Sequence, residues 1–353
     1  MLKSIINMTI SKYNSDKIRL LSFVAVLFVI YIHSLYLEAT GYPIAQCVQR
    51  FVADFGLAIF AVPMFYAISG LLFFNGVRKV GDIFPKIKKR VRSLLVPYII
   101  WNLVFVGWYI VMAYTPGVSS FVNSDMLSSI QFSNPFSTLY FLFISPAGFH
   151  LWFLRDLMAF VMLSPILYFG INRFPWLTIL LLFIGLGGIP RLGLVYFALG
   201  GAIALHCDLE RLSALLTKER SFILLSIYFF NAFLAAFGVV RSGDAFWQYY
   251  VQIMSVIAIA AIWGLYDYVI ASDLKFSARM NTMLSFTFFI YLFHEPAFNI
   301  IKKIGLTILG VHEYSLILLY IINPILMLVI AIGVGILFKK LLPKTYSICV
   351  GGR

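Results

Sequence analysis

The sequence is poor in charge and in groups that do chemistry. Only 12% of its 353 residues are Asp, Glu, Lys or Arg, about half the share of an ordinary soluble domain. Acidic residues are the scarcer kind, 14 against 27 basic ones. Three cysteines, Cys47, Cys207 and Cys349, lie far apart, which excludes a disulfide framework, and no metal-ligand spacing occurs, so no metal site is expected. No internal repeat is evident, and no inverted repeat is clear enough to argue for a transporter built from mirrored halves. A basic face with interleaved aromatics on a soluble element is missing too, so the net charge of +13 is no nucleic-acid footprint.

What the chain has in abundance is apolar surface. Hydrophobic residues make up 62% of it and aromatics 17%, a composition that belongs in a bilayer. Ten apolar segments recur, at about 20–37, 55–75, 94–114, 150–171, 176–190, 192–206, 222–240, 246–270, 282–301 and 314–338, where a span takes about 20 helical residues. The fifth and sixth are short and meet at Gly187-Gly188-Ile189-Pro190-Arg191, which leaves a re-entrant pair or tilted half-helices open. The expected fold is all-α, a polytopic bundle of about ten transmembrane helices.

Orientation follows from the basic residues. With a cytoplasmic N-terminus, 21 of the 27 fall on inner segments and five on outer ones, while Arg155 sits within a span. The positive-inside bias then puts both termini in the cytoplasm. The chain divides into an N-terminal segment at 1–19, a membrane domain at 20–338 and a C-terminal tail at 339–353. The first apolar stretch is longer than a signal-peptide core and lacks a small-residue cleavage site, so it reads as a retained span. Between spans, an inner loop at 76–95 carries seven basic residues, and an outer segment at 115–149 is long and holds Asp125 as its lone charge. Loops of that length are usually functional or disordered.

Ionisable groups inside spans are costly, so each is a functional hypothesis. They are His33, Arg155, Asp156, His294 and Glu295, with Ser34, Ser69 and Asn102 as polar companions. His33 lies fourteen residues beyond Arg19, about 21 Å along a helix and about 40° around it, so both share an inward face. His33, Arg155 and His294 fall at a similar depth in three separate spans. His33 reads either as a buried imidazole bonded to a neighbouring helix or as a general base or nucleophile. Arg155 and Asp156 point about 100° apart and are expected to pair with other helices, in a structural or a catalytic role. His294 and Glu295 precede Pro296, where a helix bends and frees carbonyls, so a local cap competes with catalysis there. Ser69-Gly70 also fits plain small-residue helix packing. The run Lys86, Lys88, Lys89, Arg90, Arg92 fits a topology and headgroup signal or a phosphate site.

Taken together, VAVLFVIYIHS ending at Ser34, VPMFYAISGLLFF at 62–74, KKRVRSLLVPYIIW at 88–101, HLWFLRDL at 150–157 and FIYLFHEPAF at 289–298 resemble the membrane acyltransferase-3 family, integral-membrane enzymes that acylate sugars and other surface molecules. The resemblance implies that His33 matches the family's first-span histidine and Ser69-Gly70 its Ser-Gly motif. It implies further that Arg90 and Arg92 match its basic inner motif before a proline, here Pro97, and Trp152 its His-Leu-Trp element, which His150 begins. Where the family has arginine eleven residues before the histidine, this chain has Ser22. Arg19 would then supply a guanidinium from one turn lower, about 4.5 Å further away.

The function so implied is O-acyl transfer, with acetyl-CoA or another acyl-CoA as donor substrate and no bound cofactor. Lys89, Arg90 and Arg92 would hold the donor's phosphates, and Ser69, Asn102 and Trp152 would line the substrate path. His33 would act as base or transient acyl carrier, with Arg19, Arg155, His294 and Glu295 in the catalytic set and Arg155 or Asn102 as oxyanion donor. The acceptor would be a surface glycan or lipid-linked saccharide, and the location a bacterial plasma membrane. Oligomeric state leaves no mark on the sequence. A glycan or anion transporter is the alternative, in which the same charges bind cargo without chemistry.

Overall fold

The computed structural model describes residues 10–53, 55–115, 140, 144–186, 193–240, 243–271 and 274–352. The Gly187–Arg191 junction and most of the 115–149 segment, Asp125 included, lie outside them. Among the described residues there is helix and turn and no strand.

Among the described residues fourteen α-helices follow in chain order. They are α1 (Lys12–His33), α2 (Pro43–Val52), α3 (Ala61–Phe74), α4 (Ile83–Tyr114), α5 (Trp152–Arg173), α6 (Pro175–Leu186), α7 (Leu194–His206), α8 (Leu209–Leu215), α9 (Lys218–Ala236), α10 (Ala245–Val269), α11 (Ala278–Ser285), α12 (Thr287–Leu309), α13 (Glu313–Leu341) and α14 (Pro343–Cys349). Helices occupy all ten apolar segments. Among the described residues six stretches are long and apolar enough to cross a membrane, and the pair α11–α12, bent by 55°, makes a seventh if it counts as one span. The helices α6 and α7 have 12 and 13 residues, about 18–20 Å of rise, short of a hydrocarbon core of about 30 Å. The chain is a multi-pass membrane protein, and its outward apolar side chains, such as Ile166 and Phe169 at 72% exposure each, are those that lipid covers.

The first helix differs from the segment 20–37 read from hydropathy. It starts at Lys12, because Ser11 caps it by accepting from the Asn14 N–H at 3.3 Å, and it stops at His33. Tyr36 is extended, and a 3₁₀ turn follows at Leu37–Gly41. His33 is therefore the last residue of α1, with Ser34 as its C-cap, a site at the helix end and not within the span.

The charged start of α1 is anchored by an ion pair. Lys17 is fully buried and its Nζ donates to both Asp267 oxygens at 2.7 and 2.8 Å, while Tyr13 Oη donates to the same carboxylate at 2.7 Å. The ammonium also sits 4.2 Å from the Trp263 ring centroid. Removing one partner of such a pair leaves the other charge uncompensated. Lys17→Met is expected to cost roughly 2–3 kcal/mol, at the low end for a buried pair because Asp267 keeps partial exposure. A thermal midpoint in detergent equal to wild type would contradict this.

The tightest contact joins α3 and α7. A Cβ on Gly70 would lie 2.0 Å from the Phe197 carbonyl oxygen, and one on Gly200 would lie 1.9 Å from that of Ala67. Without a hydrophobic drive between helices in lipid, this backbone-to-backbone approach is what small residues provide. This contact lies within an apolar cluster around Phe60, Tyr66, Phe73 and Phe197, and a second cluster gathers around Trp101, Phe105, Phe289 and Phe298. Helices α1, α4, α5 and α12, which supply much of the second cluster, also carry the polar residues.

Candidate active site

Three imidazoles meet at the end of α1. The His33 and His294 rings are 5.2 Å apart, and those of His294 and His150 4.9 Å. They come from α1, α12 and the 3₁₀ turn Phe149–Leu151 that leads into α5. Phe149 packs edge-on to His33 and Phe105 to His150. His294 and His150 are buried, at 0% and 2% exposure.

Local structure explains how each ring is held. In α12 the helix breaks at Glu295, whose φ of −107° and ψ of 148° are extended, because Pro296 has no N–H and disfavours helical geometry in the residue before it. The bend expected from the Pro296 position is present. The His294 Nδ1 lies 2.8 Å from the Tyr291 carbonyl oxygen. A carbonyl only accepts, so the hydrogen is assigned to Nδ1 and Nε2 of the neutral ring offers a lone pair. That Nε2 is buried and has no hydrogen-bond partner among the described residues. His150 is the mirror case: Nε2 lies 3.3 Å from the Leu292 carbonyl and Nδ1 is the buried atom without a partner. Tyr291 Oη donates to the His150 carbonyl at 2.7 Å and ties the 3₁₀ turn to α12. Among the described residues no group of three or more His, Cys, Asp or Glu is placed to hold a metal ion.

Glu295 is 4% exposed and accepts from Asn299 Nδ2 at 2.8 Å. Lys302 donates to the carbonyls of His33 at 3.2 Å and Leu35 at 2.7 Å. Its cation thus meets the carbonyl end of α1, where positive charge is favourable.

Two cavities approach this cluster from opposite ends of α1, α4 and α12. The first, about 490 Å³, is lined by Arg19 and Ser22 of α1, Ser69 of α3, Arg90 of α4, Tyr291 of α12 and Tyr346 of α14, among apolar neighbours. The second, about 470 Å³, lies beyond His33 and is lined by Tyr36, Glu38, Trp108, Tyr109, Asn299 and Lys302, among others.

The remaining candidates fall in different places. Arg19 hydrogen-bonds Asp16 at 3.1 Å and the Asn281 side chain at 2.9 Å, so it lines the first cavity with Ser22 and stands a helix length from His33. Arg90 reaches that cavity, whereas Lys89 and Arg92 are exposed on the same helix. Trp152 is half-buried and packs on Phe153. Asn102 is fully buried; its Nδ2 donates to the Tyr98 carbonyl and its Oδ1 accepts from the Ala147 N–H at 2.8 Å, which pins the segment that carries His150. Arg155 and Asp156 do not pair with other helices. The guanidinium folds back onto its neighbour, with Nε and Nη2 at 2.8 and 2.7 Å from Asp156 Oδ1, and also donates to the Ile144 carbonyl. Its long stem spans the angle between adjacent positions, and the half-buried setting of both side chains leaves room for it. The third member at the shared depth is thus His150, which the His-Leu-Trp element marked without giving it a role.

The chain is 22% identical over 302 residues to the succinoglycan biosynthesis protein ExoH of Rhizobium meliloti (strain 1021), an alignment that covers 83% of this chain and 79% of that protein. No solved structure matches. The family described as acyltransferase domain matches residues 16–340, a span that holds all three imidazoles, and the chain therefore belongs to the acyltransferase-3 family of membrane acyltransferases.

Proposed function

We propose that the protein transfers an acyl group, acetyl in the simplest case, from acyl-CoA to a hydroxyl of a surface polysaccharide or its lipid-linked precursor. The observation that carries the reading is the meeting of His33, His294 and His150 between two cavities. The relative's printed role in succinoglycan biosynthesis supports a saccharide acceptor. With the N-terminus in the cytoplasm, the first cavity faces the donor's side and the second the outer side of a plasma membrane.

The thioester end of the donor runs up the first cavity, past Ser69 and Tyr291, with the phosphates at Arg90 and Arg19. The acceptor hydroxyl attacks the thioester carbonyl and its proton passes to the His33–His294 pair. The tetrahedral adduct then collapses, the C–S bond breaks, and the proton leaves with the CoA thiolate. Donor and acceptor can be present together because each has its own cavity. This favours a base over a transient acyl-histidine.

The test is CoA binding to the purified protein. Binding is expected to weaken as salt rises, and Arg90→Ala to weaken it about 10- to 30-fold, the order expected for a hydrogen bond to a charged group. Binding of CoA that neither salt nor Arg90→Ala changes would contradict the reading.

A further inference from the structure

The second cavity has a lining that its position alone does not require. Its walls come from the residues just after α1, the last turns of α4 and the outer half of α12. Tyr36, Trp108 and Tyr109 give it three aromatic rings, and Glu38, Asn299 and Lys302 give it acceptors and donors. We infer that this cavity holds the sugar unit of the acceptor that carries the reacting hydroxyl, with Trp108 as stacking platform and Glu38 as the group that accepts from its hydroxyls. The inference rests on the acyltransferase reading above and deepens it.

Three observations select an uncharged sugar over other occupants. A lipid chain would strip water from Glu38, Asn299 and Lys302 and return no hydrogen bond, which is costly for each polar group. A small anion would meet the Glu38 carboxylate beside the two lysines of the lining, Lys302 and Lys303, and the Lys302 ammonium already donates to the His33 and Leu35 carbonyls. A sugar ring suits both parts of the lining, its C–H faces against the rings and its hydroxyls against the carboxylate and amide. The volume of about 470 Å³ falls in the range of small-ligand sites.

The cavity is also next to the reacting groups. Leu35 and Tyr36 follow His33 by two and three residues, and Asn299 donates to Glu295 beside His294. A ring seated in this cavity therefore lies beside the chain segments that carry the imidazole pair, opposite the donor's cavity.

The experiment measures acetyl transfer by the full-length protein in membranes, from labelled acetyl-CoA to unacylated glycan isolated from cells lacking the protein. Trp108→Ala is expected to raise the KM for glycan about tenfold, the order that loss of an aromatic partner produces, and to leave the KM for acetyl-CoA within about twofold. Trp108→Phe, which keeps a stacking ring, is expected to restore most of the loss, and Glu38→Gln to raise the glycan KM as well. Unchanged glycan KM values, or a rise in both substrates' KM, would overturn the inference while transfer by wild type still upholds the proposed function. No transfer by wild type, with CoA bound, would overturn that function and this inference with it.

Discussion

His33→Ala and His294→Ala are each expected to lower acetyl transfer by about 10²- to 10⁴-fold, the range that general-base groups supply, and the double variant is expected to fall little further than either single one. The reason is geometric. The two rings are 5.2 Å apart, and the buried Nε2 of His294 has its lone pair available because Nδ1 is committed to the Tyr291 carbonyl. A proton taken by such a pair belongs to both members, and groups that act as a unit give strongly non-additive losses. CoA binding in the first cavity, which does not include either ring, is expected to persist in all three variants. The measurement is single-turnover transfer from labelled acetyl-CoA, with CoA binding as the control. Losses that multiply in the double variant would mean that the two rings act in separate steps.

Gly200→Ala and Gly70→Ala are the substitutions expected to harm the fold most. Each new Cβ would meet a backbone carbonyl oxygen of the facing helix, at 1.9 and 2.0 Å, and a backbone atom cannot rotate out of the way. Helices α3 and α7 would have to separate along the wall that carries Ser69 and Phe197 into the first cavity. The cost is expected to reach about 3 kcal/mol or more, seen as a lower thermal midpoint and a lower yield of folded protein in detergent. Gly107→Ala in α4 is the control, since nothing lies within 4 Å of its Cβ position, and it is expected to be neutral or slightly stabilising. If Gly200→Ala behaved like Gly107→Ala, the close packing of α3 on α7 would be contradicted.

The pattern of what the sequence disclosed has a physical basis. Apolar segments announce helices through composition, yet the ten segments yield six or seven stretches long and apolar enough to span among the described residues, because length and neighbouring charge also count, and Pro296 announces the break in α12 through its missing N–H. Helix ends are set by single capping residues, Ser11 and Ser34 at α1, which hydropathy does not register. His33 and His294 were legible because an imidazole in apolar surroundings is costly. His150 lies at a turn before α5, where a histidine is unremarkable, and only its ring distances to its neighbours give it a place. The partners of Arg155 and Asn102 were beyond reach for a related reason. A flexible guanidinium can fold onto the adjacent residue, and an amide can bond a loop 45 residues away, and neither follows from helical period. Of the two readings of Ser69-Gly70, the structure bears on the packing one: Gly70 lets α7 approach, while Ser69 lines the first cavity.

The central claim is that the two cavities feed one reaction at the imidazole cluster, in place of one cargo passing between them. It is tested most directly by reconstituting the purified protein in sealed vesicles with labelled acetyl-CoA on one side and unacylated glycan on the other. The account predicts that label appears covalently on the glycan, one acetyl for each CoA released, and that His33→Gln abolishes it while CoA still binds. Glycan that crosses the bilayer unlabelled, at a rate untouched by His33→Gln, would contradict it.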